Sequence, residues 1–272
     1  MTLDARQLAE LLDTAAGILD GASTQFIAGH GADSAVAKKG NDFATEVDLA
    51  IERRVVAELQ RLTGIGVHGE EFGGESVDSE LVWVLDPIDG TFNYAAGSPM
   101  AAILLGLLVD GEPTLGLTWL PFMGQRYTAA VDGPARCNGQ ELSRLEQTGL
   151  CDAIVGTGTF NIESRGRYPG RYRAAVLSNL SKQCSRMRMH GATGIDLAYV
   201  AAGILGGAMS FGHHIWDHAA GVALVRAVGG IVTDMAGEPW TVTSPSALVA
   251  APGVHEEMLD LIGSAGDPKD YL

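Results

Sequence analysis

The residues best suited to carry out chemistry lie in the segment LVWVLDPIDGTFNY. A hydrophobic run ends in Asp86, Pro87 prevents the strand from simply continuing, and Asp89 and Gly90 form a tight turn. Two carboxylates are therefore held close together at the end of a rigid strand, and the backbone carbonyl of Ile88 lies between them without a ladder partner. This set of hard oxygen donors suits Mg²⁺, which prefers oxygen ligands and usually keeps several waters.

The same turn predicts a place for an anion. Thr91 opens a predicted helix, so the amides of Gly90 and Thr91 stand at a helix N-terminus, where unpaired N–H groups and the helix dipole favour negative charge. An isolated PxDG pattern is more often a surface turn. The full DPIDGT after a buried strand, together with acidic motifs elsewhere, favours a site in which metal ligands adjoin a phosphate cradle.

Two further acidic motifs lie far away along the chain. Glu70 and Glu71 stand in GEEFGG after an apolar stretch, and Asp217 follows Trp216 at the start of a strongly apolar helix. Acidic pairs in glycine-rich loops are usually solvated, and an Asp at a helix start is often an N-cap. Such a capping residue can also project its carboxylate into a cleft, so capping and metal binding by Asp217 are compatible.

Asp48 and three histidines each have a structural alternative. The run from Thr45 to Asp48 fits a capping box at the start of a helix. His190, His213 and His214 lack the spacing to carboxylates or cysteines that a zinc site needs, so we interpret them as packing or supporting residues near the cleft. His214, just before the Trp-Asp pair, is the histidine expected to touch a ligand carboxylate.

Hydrophobic periodicity predicts the elements that position these residues. Apolar residues at helical spacing indicate helices over Leu3–Leu19 and Val47–Leu62. From Leu81 to Val131, short apolar runs alternate with turn signals. This is the spacing of hairpins and meanders, so we expect a sheet that packs against the two helices.

The pattern of predicted elements changes after Gln140. Strand-like and helical segments now take turns, as in an α/β unit. No internal repeat and no low-complexity linker separates the two parts. We therefore expect an N-terminal domain at 1–147 that carries metal-binding carboxylates, a C-terminal domain at 148–272 that supplies Asp217 and substrate contacts, and a cleft between them.

Composition limits the classes of partner. With 33 Asp plus Glu against 18 Lys plus Arg, the chain of 272 residues has a formal charge of -15, which repels nucleic acid and anionic membranes. A phosphate ester is repelled as well unless bound cations reverse the local sign. The start of the chain does not read as a signal peptide, and the longest apolar run, Ala101–Val109, is about half of what spans a bilayer. Three cysteines without disulfide or metal spacing favour a reduced, cytoplasmic setting.

The acidic motifs, taken in order, resemble those of the inositol monophosphatase family, within the lithium-sensitive, magnesium-dependent phosphatases. The resemblance rests on Glu70-Glu71, DPIDGT and WDHAAG, and it extends to KKGNDFATEVD, HGATGIDLAYVAAG and GGIVTDMAG, so that it covers nearly the whole chain. It implies an α/β sandwich of alternating αβαβα layers, a homodimer, and two or three Mg²⁺ ions per subunit between its two halves.

The resemblance also implies a metal-binding set. Glu70, Asp86 and the carbonyl of Ile88 are expected to hold the first Mg²⁺, and Asp86, Asp89 and Asp217 the second, so that Asp86 bridges the two ions. Glu70 is expected to hold a weaker third ion through water. A pair of ions of this kind can activate a water on one side of a phosphoryl group and stabilise the leaving oxygen on the other.

The implied reaction is direct in-line attack by a metal-activated water. Glu70, with a hydrogen-bonded pair of Thr91 and Asp48, is expected to orient the water and accept its proton. Catalysis then consists mostly of positioning and charge neutralisation. The expected substrate-binding residues are Ile88, Asp89, Gly90, Thr91, Gly191, Ala192, Ser210 and Asp217.

The alcohol part of the substrate is less constrained by the sequence. Relatives that favour inositol phosphate commonly carry an acidic residue where this chain has Ser210, and a serine binds a ring hydroxyl less strongly. Inositol 1-phosphate is the first expectation. The alternatives are histidinol phosphate, fructose bisphosphate or a nucleotide 3′-phosphate, and a non-catalytic partner-binding protein. The cluster Arg165, Arg167, Arg171 and Arg173 is interpreted as a solvated loop and helix face.

Overall fold

The computed structural model describes residues 3–31, 34–37 and 43–272, so residues 38–42 of the KKGNDFATEVD motif lie outside the described part of the chain. Seven helices are present in the described residues. They are α1 Ala5–Ala28, α2 Glu46–Thr63, α3 Thr91–Ala95, α4 Gly170–Leu180, α5 Thr193–Ala201, α6 Ile215–Ala227 and α7 Val254–Gly263.

The described strands form a small antiparallel pair and two large sheets. The pair consists of β1 Ser34–Ala37 and β2 Phe43–Thr45. The first large sheet has the order β10-β9-β8-β7-β6-β5-β3-β4, built from β3 Gly66–Gly69, β4 Gly73–Gly74, β5 Leu81–Asp89, β6 Ala102–Val109, β7 Glu112–Leu120, β8 Gln125–Ala130, β9 Arg136–Cys137 and β10 Gln140–Glu141. The second has the order β12-β11-β13-β15-β14, built from β11 Ile154–Thr157, β12 Arg186–Arg188, β13 Gly207–Ser210, β14 Ile231–Thr233 and β15 Ala247–Ala250.

Helices α1 and α2 cover the outer face of the first sheet. The buried residues of α1 recur every three or four positions, which places them on one stripe against the sheet. The helix extends beyond the predicted end at Leu19 because Ala22 and Phe26 continue that stripe, and it ends before Gly29. Helix α2 begins at the Thr45 cap and ends at Gly64, which adopts the left-handed conformation that glycine tolerates.

Helices α5 and α6 form the middle layer between the two large sheets. Helix α6 is buried on nearly all sides, because it contacts the inner faces of both sheets at once. Its approach to the first sheet is close. A Cβ atom at Gly116 of β7 would lie 2.2 Å from the carbonyl oxygen of Ala220 in α6, so only glycine fits at this position.

Helices α4 and α7 cover the outer face of the second sheet, which completes five alternating layers. The predicted αβαβα fold is confirmed. The two large sheets are drawn from residues 66–141 and 154–250, although α5 and α6 of the second region also pack on the first sheet. The domain boundary near Gln147 stays a prediction. None of the described helices is long and apolar enough to cross a membrane.

Strands β11, β12 and β13 run parallel to one another, whereas β14 and β15 join antiparallel. The carboxyl ends of β11, β12 and β13 therefore meet at one edge of the second sheet. In sheets of this kind, ligands bind in the crevice outside the carboxyl ends of the parallel strands. The loops that follow β11 and β13 form one side of the main cleft of the molecule.

Candidate active site

A cleft of about 860 Å³ lies between the end of β5 in the first sheet and the carboxyl ends of β11 and β13 in the second. This volume is in the range of small-molecule sites. Ten of the eleven predicted site residues line it, namely Glu70, Asp86, Ile88, Asp89, Gly90, Thr91, Gly191, Ala192, Ser210 and Asp217. The eleventh, Asp48, is fully buried next to the cleft and reaches it through Thr91.

The turn at the end of β5 differs in detail from the expectation. The strand continues through Pro87 to Asp89, with a shift of register against β6 between Asp86 and Asp89. This bulge accommodates the proline, which cannot donate to a regular ladder. The carbonyl of Ile88 accepts a hydrogen bond of 3.0 Å from the Thr91 hydroxyl, and the Ile88 amide donates to Asp86 Oδ1 at 2.9 Å. The turn is therefore held by its own side chains.

Asp89 connects the two sides of the cleft. Its carboxylate accepts hydrogen bonds from the amides of Thr193, at 3.0 Å, and Gly194, at 2.7 Å, in the first turn of α5. Asp89 thus caps a helix that lies about a hundred residues further along the chain. The pKa of Asp89 is raised to about 7, because burial and the nearby charge of Asp196 outweigh the lowering effect of the backbone amides.

Negative charge accumulates around Asp86. Burial raises the pKa of Asp86 well above its usual range, and the charges of Glu70, Asp89 and Asp217 and a hydrogen bond with Glu70 raise it further. In the described part of the chain, no Lys or Arg forms an ion pair with Asp86 or Asp89. Such a cluster is destabilising unless protons or cations neutralise it.

The donor set fits a hard divalent cation. Carboxylates and the Ile88 carbonyl are oxygen ligands of the kind that Mg²⁺ takes, and Mg²⁺ usually binds through one or two carboxylates with water completing the shell. No three His, Cys, Asp or Glu side chains of the described residues already form a metal-binding group. The side chains therefore fit Mg²⁺ by chemistry and by charge, with ordering of the ligands expected when the ion binds.

Glu70 follows β3, whose parallel pairing with β5 brings it beside Asp86. The Glu70 amide donates to the carbonyl of Leu85 at 3.1 Å. The loop after it is fixed by Glu52 of α2, a fully buried residue that was missed in the sequence analysis. The Glu52 carboxylate accepts hydrogen bonds from the amides of Glu71, at 2.9 Å, and Phe72, at 2.8 Å. The spacing of four residues between Asp48 and Glu52 was the available signal, because it places both on one face of the helix.

Asp48 takes part in both predicted arrangements. It completes the capping box of α2, since the Thr45 amide and hydroxyl donate to Asp48 Oδ2 and the Asp48 amide donates to Thr45 Oγ1 at 3.3 Å. Its Oδ1 atom lies 3.4 Å from the Thr91 hydroxyl oxygen, farther than the Ile88 carbonyl. Burial raises the pKa of Asp48, and the charge of Glu70 adds to this.

Gly90 stands where the two sides of the cleft meet. It has a φ of 84°, and a Cβ atom would lie 2.8 Å from the Met100 carbonyl and 3.1 Å from Cβ of Ala192. The Asn93 amide group donates to the carbonyls of Met100, at 2.8 Å, and His190, at 2.7 Å. Asn93, which the sequence analysis did not single out, therefore ties the turn at Gly191 to the short helix α3.

The second side of the cleft carries few polar groups. Ser210 is buried, and its hydroxyl accepts a hydrogen bond from the Gly212 amide at 3.3 Å. Asp217 lies in the first turn of α6 behind the His214 N-cap, so it is not the N-cap. A Cβ atom at Gly212 would lie 3.9 Å from Asp217 Oδ2, which places the Ser210 loop directly beside the predicted metal ligand.

Histidine and tryptophan rings stack on the second side of the cleft. His214 stacks between His213 and Trp216, with ring centroids 4.6 and 4.7 Å apart, and Trp216 faces His68 at 6.1 Å. His190 lies outside this stack, where its Nδ1 atom is 2.5 Å from Asp196 Oδ1. The interpretation of these histidines as packing and supporting residues agrees with these positions.

Arg173 is the one member of the arginine cluster that lines the cleft. It is half-buried in α4, with its guanidinium over the ring of Phe211 at 5.0 Å. The prediction that the whole cluster is solvated is wrong for this residue. No local sequence pattern predicts this position, because it depends on how α4 packs against the loop after β13.

Comparison with known proteins supports the family that the acidic motifs indicate. The sequence model described as the inositol monophosphatase family matches residues 5–265. The inositol-1-monophosphatase ImpA of Mycolicibacterium smegmatis is 71% identical over 270 residues, which cover 99% of this chain and 98% of that protein. The probable inositol 1-monophosphatase ImpA of Mycobacterium tuberculosis is 64% identical over 264 residues, which cover 97% and 98%.

A solved structure shares the fold over almost the whole length. The IMPase of Thermotoga maritima superposes with a TM-score of 0.87 at 25% identity, covering 96% of this chain and 99% of that chain. The family predicted from the acidic motifs is confirmed by these matches, and with it the prediction that the chain is a phosphatase. The chain belongs to the inositol monophosphatase family.

Proposed function

We propose that the protein hydrolyses inositol 1-phosphate to inositol and phosphate and that it depends on Mg²⁺. The observation that carries the proposal is the convergence of Glu70, Asp86, Asp89 and Asp217, from separate segments of the chain, on one cleft. Asp86 and Asp89 are buried, and Glu70 and Asp217 are half-buried, so an acidic cluster of this kind has little use in a fold except to hold cations. The names of the two relatives at 71% and 64% identity support inositol 1-phosphate as the ester.

The proposed ligand sets are those that the family resemblance implies. Glu70, Asp86 and the Ile88 carbonyl hold the first Mg²⁺, and Asp86, Asp89 and Asp217 hold the second, with a weaker third ion near Glu70. When bound, the ions supply positive charge for the phosphoryl oxygens and lower the pKa of water. Without bound ions, the carboxylates of the cleft would repel the phosphate group of the substrate.

Residues of the chain then orient the attacking water. Glu70 and the Thr91 hydroxyl stand on the same side of the cleft, and Thr91 lies within 3.4 Å of Asp48. Because burial raises the pKa of Asp48, its carboxylate is a better proton acceptor near neutral pH than an exposed aspartate. We propose that the proton of the water passes by way of Glu70 or Thr91 toward this buried carboxylate.

The substrate is proposed to lie across both sides of the cleft. The amides of Gly90 and Thr91, at the start of α3, bind phosphate oxygens, together with the positions of Ile88, Asp89 and Asp217 around the phosphoryl group. Gly191, Ala192 and Ser210 face the alcohol part. Because Ser210 is buried and already accepts a hydrogen bond from Gly212, its contact with a ring hydroxyl is weak.

The proposal also covers the oligomeric state, the cellular location and the inhibition of the protein. We propose a homodimer, a cytoplasmic location and sensitivity to lithium, all supported by the family resemblance. The location is also supported by the acidic composition and by the three free cysteines. Light scattering at several protein concentrations tests the dimer, and inhibition of turnover by increasing LiCl tests lithium sensitivity.

Steady-state turnover of a panel of esters tests the function itself. The panel contains inositol 1-phosphate, histidinol phosphate, fructose 1,6-bisphosphate and a nucleotide 3′-phosphate, each with Mg²⁺ and with EDTA. We expect turnover only with Mg²⁺ and the highest kcat/KM for inositol 1-phosphate. If another ester ranks far above it, the inositol assignment is wrong. If no ester is hydrolysed, the protein is a non-catalytic member of the family.

A sugar or polyol bisphosphate is the second candidate substrate. Two observations favour it over the other esters. Ser210 supplies no charge for a ring hydroxyl, and Arg173 supplies a positive charge in an otherwise acidic cleft. These features concern the alcohol part of the substrate and leave the proposed reaction unchanged.

A further inference from the structure

A second cavity, which we call the outer cavity, lies beside the two helices that cover the outer face of the second sheet. Its lining includes Arg167, Tyr168, Tyr172, Met235, Ile262 and Lys269. The volume is about 640 Å³, within the roughly 300 to 1,000 Å³ of small-molecule sites. In the described part of the chain, the outer cavity and the cleft share no lining residue, so they are separate spaces.

The floor of the outer cavity is apolar. Tyr168 stacks on Tyr172 with ring centroids 6.1 Å apart, and these two residues, Met235 and Ile262 are all buried. Gly263, the last residue of α7, also lines the cavity. It has no left-handed φ, and a Cβ atom there would meet no atom within 4 Å, so neither the backbone nor crowding requires glycine. The absence of a side chain at this position helps to leave the space open.

Two cations stand at the rim of the outer cavity. Arg167 and Lys269 are exposed, and among the described residues neither forms an ion pair. Asp267 also lines the cavity, and its Oδ1 atom accepts a hydrogen bond from the Lys269 amide at 2.9 Å. Two positive charges and one negative charge leave a surplus of one positive charge, in a protein with a formal charge of -15. The rim therefore complements a ligand with a single negative charge.

Tyr168 joins the outer cavity to the cleft. Its carbonyl accepts a hydrogen bond from Arg173 Nε at 2.9 Å, and its ring contacts Phe211 with centroids 5.5 Å apart. Arg173 and Phe211 both line the cleft, and the Arg173 guanidinium lies 5.0 Å from the centre of the Phe211 ring. A ligand that packs against Tyr168 in the outer cavity is therefore one residue away from the side of the cleft that faces the alcohol.

We propose that the outer cavity is an effector site for a carboxylate that is carried on an apolar body. The planar fork of Arg167 matches a carboxylate through two parallel hydrogen bonds, Lys269 adds a second charge, and the apolar body packs on the tyrosine floor. A ligand alters a distant site when it favours one arrangement of the residues between the two. Here those residues are Tyr168, Arg173 and Phe211, so the effector changes the binding of the ester and leaves the metal ligands in place.

Isothermal titration calorimetry with two matched pairs of probes tests the site. Indole-3-acetate and indole-3-acetamide share an aromatic body, hexanoate and hexanamide share an aliphatic one, and in each pair only the acid is charged. We expect the acid of at least one pair to bind about 10-fold or more tightly than its amide, because its hydrogen bonds are charge-assisted. The pair that binds more tightly assigns the body. Each titration is run with Mg²⁺ and with EDTA, since a carboxylate bound to ions in the cleft is released in EDTA and one in the outer cavity is kept.

Substitutions locate the bound probe. R167Q and K269Q should each reduce the preference for the acid roughly 10-fold and leave the affinity for the amide unchanged. The control R171Q removes the same charge from a side chain that lies 3.6 Å from Glu163, and it should keep the preference. G263L and A236L add bulk at two places in the lining, so each should weaken acid and amide alike by about 10-fold. No preference for either acid in the wild type, a preference that disappears in EDTA, or wild-type affinities in R167Q and G263L would overturn the proposal.

Steady-state turnover with the saturating acid tests the coupling to the cleft. We expect the KM for inositol 1-phosphate to change about twofold or more in the wild type, with a smaller change in kcat, and neither to change in G263L. A change in KM that persists in G263L means that the acid competes at the metal ions, and it overturns the effector role, as does an unchanged KM in a wild type that calorimetry shows to be occupied. If the wild type hydrolyses no ester, the proposed function fails and calorimetry still decides the site. The coupling is then measured as the change that the acid causes in the affinity for inorganic phosphate with Mg²⁺.

Discussion

The two sides of the cleft differ in charge and in how the chain assembles them. The acidic wall consists of Glu70, Asp86 and Asp89 on the first side of the cleft, together with Asp217, which approaches them from the second side. The alcohol wall consists of Arg173, Gly191, Ala192, Ser210 and Phe211. On the acidic wall, burial and the neighbouring carboxylates raise the pKa of Asp86, and the turn at the end of β5 positions two of the four residues. On the alcohol wall, the other side chains are apolar, small or already hydrogen-bonded, and Arg173 supplies a positive charge.

The two walls therefore determine different properties: the acidic wall sets the rate for all esters, and the alcohol wall sets the preference between esters. The acidic wall gathers cations, so a change there affects every phosphate ester in the same proportion. The alcohol wall touches the part of the substrate that varies between esters, so a change there alters the ratio between them. The acidic wall is destabilising without cations, whereas Ala192, Ser210 and Phe211 of the alcohol wall are buried without a charge. The following substitutions change the acidic wall, its junction with the alcohol wall, or the residues that lie behind them.

The largest effect is expected for Asp86→Asn on the acidic wall. The substitution removes a proposed bridging ligand, so kcat should fall by about 1,000-fold or more for every ester. At the same time it replaces a carboxyl group, whose ionisation is opposed by burial and by the neighbouring carboxylates, with a neutral amide. We therefore expect the melting temperature in EDTA to rise while the stabilisation by added Mg²⁺ is lost. Turnover and melting curves with and without Mg²⁺ measure both.

Asp78→Asn is the control for this substitution, because Asp78 is an exposed carboxylate outside the cleft. It should change neither turnover nor the effect of Mg²⁺. Retained turnover in Asp86→Asn would contradict the metal site at the end of β5. A non-catalytic, partner-binding protein would show no turnover in the wild type either, and its partner binding would survive the substitution.

Gly90→Ala tests the junction of the two walls. The new methyl group would be crowded by the Met100 carbonyl at 2.8 Å and by Ala192, on a backbone with φ of 84°. We expect a loss of about 1 to 3 kcal/mol in the free energy of unfolding and roughly 10- to 100-fold in turnover, because both walls shift together. Urea denaturation and steady-state kinetics are the measurements.

Gly97→Ala separates crowding from backbone strain. Gly97 has a similar φ of 77°, but no atom lies within 4 Å of the position that its Cβ would occupy. It should lose stability and keep its turnover. If both variants lose turnover equally, the contact between Gly90 and Ala192 has no role in aligning the walls.

Glu52→Gln weakens the acidic wall from behind. The amide that replaces one carboxylate oxygen faces a backbone N–H of the loop after Glu70, and two donors repel. We expect kcat to fall about 10-fold for all esters, with more Mg²⁺ needed for half-maximal rate, because Glu70 is less well held. Glu58→Gln, at an exposed ion pair with Arg54 on the same helix, serves as the control. An unchanged Mg²⁺ dependence would show that Glu70 does not rely on Glu52.

The acidic wall was largely predictable because its signals are local. Asp86 and Asp89 lie in one turn, and the order of the motifs indicated that Glu70 and Asp217 join them. The sequence also indicated most helices and strands up to α6. The path of β5 through Pro87 was not predicted, since a bulge depends on how β6 pairs with it. Beyond residue 230 no element was predicted, although β14, β15 and α7 complete the second sheet and its outer layer.

The supports of both walls were missed for a common reason. Glu52 is a charged helical residue by type, and only the fold shows that it is fully buried and bound to the loop after Glu70. Arg173 stands in a run of arginines that composition alone assigns to solvent. Its burial depends on Tyr168 and Phe211, which approach it from other segments. Interactions between distant segments leave no periodic pattern, so sequence reasoning finds the ligands more readily than their supports.

The smallest effect on turnover is expected for His218→Leu, which lies behind both walls. His218 is buried in α6, its ring contacts Trp240 edge-on at 6.1 Å, and its Nε2 atom has no hydrogen-bond partner in the described part of the chain. Burial and, to a smaller extent, the nearby histidines His214 and His213 lower the pKa of His218 from its usual value of 6.5 to about 3. The folded protein therefore keeps this ring neutral at neutral pH.

The pH dependence of stability follows from this shift. Between pH 6.5 and 3 the unfolded chain binds a proton at His218 that the folded chain does not, so the free energy of unfolding falls as the pH falls through this range. His218→Leu removes this pH-dependent contribution to the free energy of unfolding. The stability of the variant relative to the wild type should therefore rise by about 2 to 3 kcal/mol between pH 7 and pH 4.5. Urea denaturation of both proteins at each pH measures the difference. A constant difference across this range would mean that His218 is protonated in the fold, or reaches water, and that the layer behind the acidic wall is not closed to solvent.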